Sequence, residues 1–292
     1  MRRSSLTATS AWLVYWTMLS VYATAAPPPP NLLARVGGLP CQVVMGRIVL
    51  AEHRGLAGRS DTVEDTITGR RETLCIQTTS GQSVVRYERN DAVETVAIDF
   101  LGQGDLRMRR ALPGTTPITV HFVQPLRGPL KLEVTQGEQT RKYSAPTLWH
   151  LVLTEPKACH DHLLPLLEQL RPDWQLAARI EAIEQGLRSA GEVHVPLDRT
   201  ELDRLIEQLA SPKFAERQQA NRQLEARGLS LLPDLEQLNR EQLDAEQRCR
   251  LDELQAALIA TTPDTPERVA AWLVADRKLW KQLAELSAAN NR

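Results

Sequence analysis

The chain has 292 residues, of which 42% are hydrophobic and 24% charged, and its formal net charge at pH 7 is -1. This length allows one or two folded domains, and the composition is that of a globular protein rather than a disordered or fibrous one. A charge so close to zero argues against nucleic acid as the partner, because nucleic-acid-binding proteins present a strongly basic surface.

The first 25 residues have the three parts of a secretory signal peptide. Arg2 and Arg3 form the charged start, residues 11–23 the apolar run, and Ala23-Thr24-Ala25 a small-residue cleavage site. The apolar run has about 13 residues, whereas a helix that spans a bilayer needs roughly 20. We therefore expect export across the inner membrane and a periplasmic or secreted mature chain without a transmembrane anchor.

A β-rich domain is predicted for residues 40–156, after a Pro-rich linker at 26–39 that contains prolines 27–30. Turn residues such as Ser80-Gly81 and Pro113-Gly114 separate short runs with strand-forming residues. The predicted strand runs are 41–51, 72–79, 82–88, 94–100, 117–123, 129–135 and 147–153, with a long polar loop at 54–70. Such regularly spaced strands predict an antiparallel β-sandwich or open barrel.

Helices are predicted after about Cys159, because the spacing of apolar residues changes from about two to about 3.6. A helical pair is expected at 159–190, and its second helix carries a clean apolar stripe of Leu176, Ile180, Ile183 and Leu187. Near the end of the chain, Thr265 and Pro266 start a final helical stretch that Asp276 divides in two. The predicted fold is therefore α+β, with the strands and the helices in two segregated parts.

The most regular helical pattern lies in residues 198–259. Asp198 and Glu201 form a capping box, Ser211 and Pro212 start the next helix, and Gly228 ends it. The apolar positions of the four predicted helices are Leu202, Leu205, Ile206 and Leu209; Phe214, Ala220 and Leu224; Leu231, Leu235 and Leu238; and Leu243, Leu251, Leu254 and Leu258. Each helix is short and amphipathic, so it needs a neighbouring helix to cover its apolar stripe.

This segment resembles a HEAT-like helical repeat. The resemblance is carried by Phe214, Arg217, Ala220, Leu224 and Gly228, and then by Leu-Leu-Pro at 231–233 with Leu235. Glu216 departs from the pattern, since such repeats usually have a small apolar residue there. The resemblance covers about one repeat and the start of another, is of the kind seen in exported bacterial proteins of unknown function, and is extended to a HEAT-like α-helical domain at 198–289. It implies a packing mode and partner binding, and no reaction.

One local cluster has the residue types of a metal site, namely Cys159, His160 and His162 around Asp161. Alternate residues of a helix point about 200° apart, so the two histidines share an ion only in extended or turn geometry. Asp161 as the cap of the following helix is the competing interpretation. We predict neither a metal nor a cofactor.

The four cysteines, Cys41, Cys75, Cys159 and Cys249, are far apart in sequence. An exported protein allows a disulfide, and Cys41 with Cys75 is the pair that we select because both lie in the strand region. Free, buried thiols are the alternative.

No catalytic constellation is visible in the sequence. It lacks a Gly-x-Ser-x-Gly elbow, a His-Glu-x-x-His motif and a phosphate-binding glycine loop. His121 and His150 are predicted to be half-buried packing residues on strands. Asp99, Asp105 and Glu133 are interpreted as surface charge, with paired carboxylates as the alternative. Arg217 is assigned helix packing or inter-helix hydrogen bonding, with partner binding as the alternative.

Two functions stay open at this point. The leading hypothesis is an exported, non-enzymatic scaffold or interaction protein whose partner is another protein. The alternative is a ligand-binding or hydrolytic β-domain that the helices support. A broad helical groove favours the first, and a cluster of polar residues in a deep cleft of the β-rich half favours the second.

Overall fold

The computed structural model divides the chain into two units, residues 1–30 and 31–292. The structure describes residues 32–35, 39–50, 58–65, 68–79, 82–102, 104–191, 198–259 and 262–290. The predicted signal peptide and the prolines at 27–30 lie outside the described residues. None of the helices within those ranges is both long enough and apolar enough to cross a membrane.

Two antiparallel sheets occupy the first half of the second unit. The smaller is a hairpin of β1, Cys41–Val44, and β2, Arg47–Leu50. The larger has eight strands in sequential order, each paired with the next: β3 Arg59–Asp65, β4 Arg70–Thr79, β5 Gln82–Asn90, β6 Thr95–Leu101, β7 Asp105–Leu112, β8 Ile118–Gln124, β9 Leu130–Gln136 and β10 Gln139–Ala145. Since β3 and β10 are its two edges, the large sheet is an open meander.

One face of the large sheet is buried and the other is polar. Along β6 the residues Val96, Ile98 and Phe100 are fully buried, and they alternate with residues that face outward. The register places Ile98 beside Tyr87 of β5 and Met108 of β7, so large apolar side chains from neighbouring strands meet on the same face. This alternation is typical of an antiparallel sheet that is covered on one side.

After Ala145 every described element is helical. The helices are α2 Leu148–Thr154, α3 Pro156–Ala158, α4 Leu164–Leu170, α5 Leu176–Gly191, α6 Arg199–Leu209, α7 Phe214–Arg227, α8 Leu232–Glu236, α9 Ala245–Ile259, α10 Pro266–Leu273 and α11 Arg277–Asn290, preceded early in the chain by α1 Leu32–Arg35. A π-helical turn, Cys159–Leu163, joins α3 to α4, and 3-10 turns occur at Pro172–Trp174, Gly228–Leu231 and Arg240–Gln242. The predicted α+β fold with segregated strands and helices is confirmed.

The predicted start at Ser211 and Pro212 is wrong, because α7 begins at Phe214 and its N-cap residue, Lys213, makes no side-chain cap bond. Three other predicted helix starts have side-chain caps. Asp198 accepts a hydrogen bond from the backbone N–H of Thr200, and Thr265 accepts one from that of Arg268. Asp276 accepts from the N–H groups of Lys278 and Leu279, so it separates α10 from α11 as predicted. These caps pair donors that a helix N-terminus leaves free.

The buried apolar residues form two clusters. The main cluster joins the buried face of the large sheet to the hairpin and to α2, α4, α5 and α10. The second cluster lies within residues 198–259 and contains Leu202, Leu205, Ile206, Leu209, Ala220, Leu224, Leu231, Leu235, Leu251 and Leu254. Leu258 packs against both clusters. The segment 198–259 thus has a small core of its own beside the main one.

Two predicted strand runs are wrong in the structure. The run 147–153 is helical from Leu148 onward, in α2, because the Thr147 side chain accepts a hydrogen bond from the His150 N–H and caps a helix within an apolar run that looks like a strand. The described part of the predicted run 41–51, residues 41–50, is a hairpin, since Met45 and Gly46 have φ values of 49° and 65° and reverse the chain.

The prediction also missed strands with polar residues. β3 lies inside the predicted loop at 54–70, and both β7 and β10 were not predicted. Charged residues occupy much of each, for instance Arg107 and Arg109 in β7. Their outward positions face solvent, so the strands lack the apolar content on which recognition from sequence depends. The predicted linker contains Leu32, Leu33 and Leu39, which are buried in the main core. At these residues the linker packs against the fold.

Candidate functional site

One densely bonded buried polar residue is Asp264, which precedes α10. It is only 2% exposed, and its carboxylate accepts hydrogen bonds from the N–H groups of Met45 (2.8 Å) and Gly46 (2.7 Å) and from the indole of Trp149 (2.6 Å). Its own N–H donates to the Val43 carbonyl at 2.8 Å. Asp264 therefore joins the β1–β2 turn, α2 and α10, which is a structural role because all of these partners belong to the protein itself.

A second buried cluster has the geometry of a catalytic triad. The His150 ring lies 2.7 Å from the Thr147 hydroxyl through Nδ1 and 2.9 Å from the Asp276 carboxylate through Nε2. With a proton on Nε2, His150 donates to Asp276 and accepts from the Thr147 hydroxyl. A hydroxyl, a base and an orienting carboxylate are the parts that nucleophilic catalysis requires.

The trio is too enclosed for a substrate to reach the Thr147 hydroxyl. Thr147 is 8% exposed, and its oxygen already accepts the capping hydrogen bond from the His150 N–H. The hairpin turn covers it so closely that a Cβ added to Gly46 would lie 2.6 Å from the Thr147 Cβ. A substrate carbonyl has no room beside this hydroxyl, so the trio holds the starts of α2 and α11 together.

The pKa values of Asp276 and of the neighbouring Glu236 are shifted in opposite directions. Burial favours the neutral form of Asp276, but hydrogen bonds from His150 and from the Leu279 N–H outweigh it and lower the pKa. In Glu236, at the end of α8, partial burial of the carboxyl and the nearby Asp276 charge raise the pKa. The side chain of Glu236 as a whole is exposed, so the two carboxyl groups do not form an enclosed acid–base pair.

The structure does not bring the metal candidates together. Cys159 is buried, burial raises its thiol pKa to about 12, and its sulfur donates to the Leu151 carbonyl. His160 is exposed, whereas burial lowers the pKa of His162. Asp161 is not a helix cap as predicted: it lies inside the π-helical turn and pairs with Lys157 at 3.0 Å. Within the described residues, no three His, Cys, Asp or Glu side chains are placed to hold a metal ion.

The cysteines selected for a disulfide are free thiols that face different surroundings. Cys41 lies buried in the hairpin, and burial raises its pKa to about 12. Cys75 lies on β4 between the buried residues Leu74 and Ile76, so its side chain points away from the core. The predicted Cys41–Cys75 disulfide is absent, because side chains alternate along β4 and the Cys75 thiol points away from the core in which Cys41 is buried. Cys159 is also a buried free thiol, and Cys249 an exposed one.

The other sequence candidates have structural partners. The three carboxylates pair with basic neighbours across or along the outer sheet face: Asp99 with Arg86, Asp105 with Arg107 and Glu133 with Lys142. His121 lies half-buried on β8 beside Arg109 and Glu133, as a strand histidine was expected to lie. His150, by contrast, lies on α2 and not on a strand.

An open surface of a different character runs along α7. The open pocket along this surface has a volume of about 520 Å³. Its described lining residues all belong to α7: Phe214, Ala215, Gln218, Gln219, Arg222, Gln223 and Ala226. The opposite face of α7 packs into the second cluster through Ala220 and Leu224. We call the seven lining residues the α7 surface; it is mostly uncharged, although α7 itself is strongly polar.

Phe214 is the exposed aromatic residue of the α7 surface, and its surroundings are fixed. Its side chain is 62% exposed, and the Arg217 guanidinium lies 5.7 Å from the ring centroid. That guanidinium donates to the carbonyl of Ser211 at 2.7 Å and to that of Pro212 at 3.1 Å. Glu216 accepts from the hydroxyl of Ser211 and pairs with Lys213, which holds the turn before α7.

The sequence pattern predicted Phe214 as an apolar residue facing a neighbouring helix, so the α7 surface was not predicted. The signal in the sequence was Glu216, which stands where a small apolar residue is expected, together with the glutamines at 218, 219 and 223. Arg217 bonds to the turn before its own helix, whereas the sequence predicted packing or hydrogen bonding between helices. A search of protein families, curated proteins and solved structures finds no match to this chain.

Proposed function

We propose that the protein is an exported, non-enzymatic interaction protein that binds a protein partner through the α7 surface. The exposed ring of Phe214, held beside the anchored guanidinium of Arg217, is the observation that carries this proposal. Aromatic and arginine side chains dominate the binding energy of protein interfaces, and residues that are already ordered lose little entropy on binding.

The glutamines of the α7 surface suit a protein partner. Each of Gln218, Gln219 and Gln223 offers both hydrogen-bond donors and an acceptor, so together they match backbone or amide groups of a partner. The HEAT-like resemblance supports the same function, since it implies partner binding, and the signal-peptide pattern of residues 1–25 supports a periplasmic or secreted location.

The hydrolytic alternative has one specific observation, the trio of Thr147, His150 and Asp276. Its burial under the hairpin turn removes the access that a substrate needs. We therefore do not propose a reaction for it.

Affinity capture from the exported fraction tests the proposal. Tagged full-length chain, the Phe214→Ser variant and the Leu126→Ser variant are compared in parallel. Leu126 is a matched control because it is 63% exposed, close to the 62% of Phe214, and lies in the β-rich half. We expect Phe214→Ser to lose the captured protein and Leu126→Ser to retain it. Equal capture by both variants would move the binding site away from α7.

A further inference from the structure

We infer that the protein bound by the α7 surface is a second copy of this chain, with the two α7 helices antiparallel across a two-fold axis. This inference rests on the proposed function, because it names the partner of the same surface. A two-fold axis pairs a surface with itself, so the surface has to be complementary to its own reversed copy.

The α7 surface has this property in its sequence. In chain order its residues after Phe214 are Ala215, Gln218, Gln219, Arg222, Gln223 and Ala226. An axis midway between positions 220 and 221 places Ala215 opposite Ala226 of the second copy and Gln218 opposite its Gln223. It also places Gln219 opposite Arg222. Every residue of this stripe therefore meets another residue of the stripe.

The residue types match at each of these positions. Alanines at both ends let the helix backbones approach closely, and paired glutamine amides donate and accept hydrogen bonds across the axis. The Gln219 oxygen is an acceptor for the Arg222 guanidinium of the second copy, a group that bonds to Gln218 of its own helix at 2.8 Å in this structure. The stripe has one charged residue in six, in keeping with the depletion of charge at interface cores.

The direction of pairing follows from the same charge. Parallel α7 helices in register would place Arg222 against Arg222 of the second copy, and like charges disfavour such a contact. In the antiparallel arrangement Arg222 meets an amide, and Phe214 lies at the partner helix end beside Arg227 and Gly228. An exposed arginine next to an aromatic ring is a favourable contact.

The proposed interface is small, so dimerisation has to be measured over a range of protein concentrations. The 14 residues of α7 span about 21 Å at a rise of 1.5 Å per residue. One helix pair of this length buries less area than the roughly 1,200 Å² at which standard specific interfaces begin, so the dimer is expected to be weak and to dissociate reversibly on dilution.

Sedimentation velocity of the full chain, over a range of concentrations and with reductant to keep Cys249 free, measures the association. Two double variants carry the test. Ala215→Glu with Ala226→Glu places like charges opposite each other at both ends of the stripe, and Ala215→Glu with Ala226→Lys places opposite charges there. Both positions are exposed, so melting curves are expected to show folded protein in each case.

We expect the parent chain to dimerise, the doubly acidic variant to weaken dimerisation by about tenfold or more, and the acid–base variant to restore it. Restoration is specific to the antiparallel register, since parallel helices would place like charges together in both variants. A chain that stays monomeric at all concentrations, or an acid–base variant as weak as the doubly acidic one, would overturn the inference. If a monomeric chain still captures a different protein through Phe214, the proposed function stands and only this inference fails.

Discussion

Asp264 and the α7 surface show opposite uses of polar residues in one chain. Asp264 is buried, and it connects segments more than 200 positions apart in the sequence. The polar residues of α7 are exposed, and the bonds around them are local, as between Arg222 and Gln218. Buried polar groups in this protein determine how its parts are joined, whereas exposed ones remain available to a partner. A triad-like geometry alone is therefore a poor guide to function here.

Removal of the buried carboxylate is expected to have the largest effect on stability. Asp264→Ala leaves the N–H groups of Met45 and Gly46 and the indole of Trp149 without their acceptor. At about 1 kcal/mol or more for each unpaired buried donor, the free energy of unfolding should fall by roughly 3 kcal/mol or more.

Chemical denaturation of the full chain measures this effect, with Asp252→Ala as the control. Asp252 is an exposed carboxylate that pairs with Arg240, and such pairs contribute about 1 kcal/mol at most. Equal unfolding midpoints for the two variants would contradict the structural role of Asp264.

The core side of α7 is expected to show the next largest effect. Leu224 is 0% exposed and lies in the second cluster, so Leu224→Ala should lower the free energy of unfolding by about 2 to 5 kcal/mol. Thermal melts of the full chain measure it, with Leu286→Ala at an exposed position of α11 as the control. A melting point unchanged from the parent chain would show that α7 is not held by this core.

Acid should remove a smaller contribution, that of Asp276. Its pKa is lowered in the folded protein by hydrogen bonds that outweigh its burial, so its charged form stabilises the fold. That contribution is complete above the unfolded value of about 3.9 and is lost as pH falls through the folded value. The difference in stability between the parent chain and Asp276→Asn should therefore be constant near pH 6 and shrink below pH 4. Denaturant midpoints measured across this range would contradict the prediction if the difference grew toward acid pH.

The smallest effect on stability is expected at the exposed aromatic residue. Phe214→Ser should change the free energy of unfolding by no more than about 0.5 kcal/mol, because the ring is mainly in contact with solvent and Arg217. Denaturation of this variant beside Leu224→Ala compares the two faces of the same helix. A loss at Phe214 as large as that at Leu224 would mean that the ring is part of the fold and not of a binding surface.

Features that depend on local sequence were predictable. The stripe of Leu176, Ile180, Ile183 and Leu187 gave α5, and Thr265 and Asp276 marked the starts of α10 and α11. Caps and helical periodicity act within a few residues, so a single sequence contains them.

Features that depend on distant partners were not predictable. The bonding of Asp264 to the hairpin turn and of His150 to Asp276 requires the folded chain, since the partners are 218 and 126 positions away. The polar strand β3 is recognisable only through its pairing with β4. The exposure of Phe214 likewise follows from which side of α7 faces the second cluster, and the sequence pattern alone placed it on the wrong side.

Site-specific photo-crosslinking in the exported fraction tests most directly the claim that α7 is the binding surface. A photoreactive residue is placed at Gln219, at the centre of the α7 surface, and in a separate chain at Thr140, which is also exposed and lies on the edge strand β10. We expect a covalent product with a protein partner, a second copy of the chain included, from position 219 and none from position 140. Products from position 140 alone would contradict it and place the binding surface on the sheet.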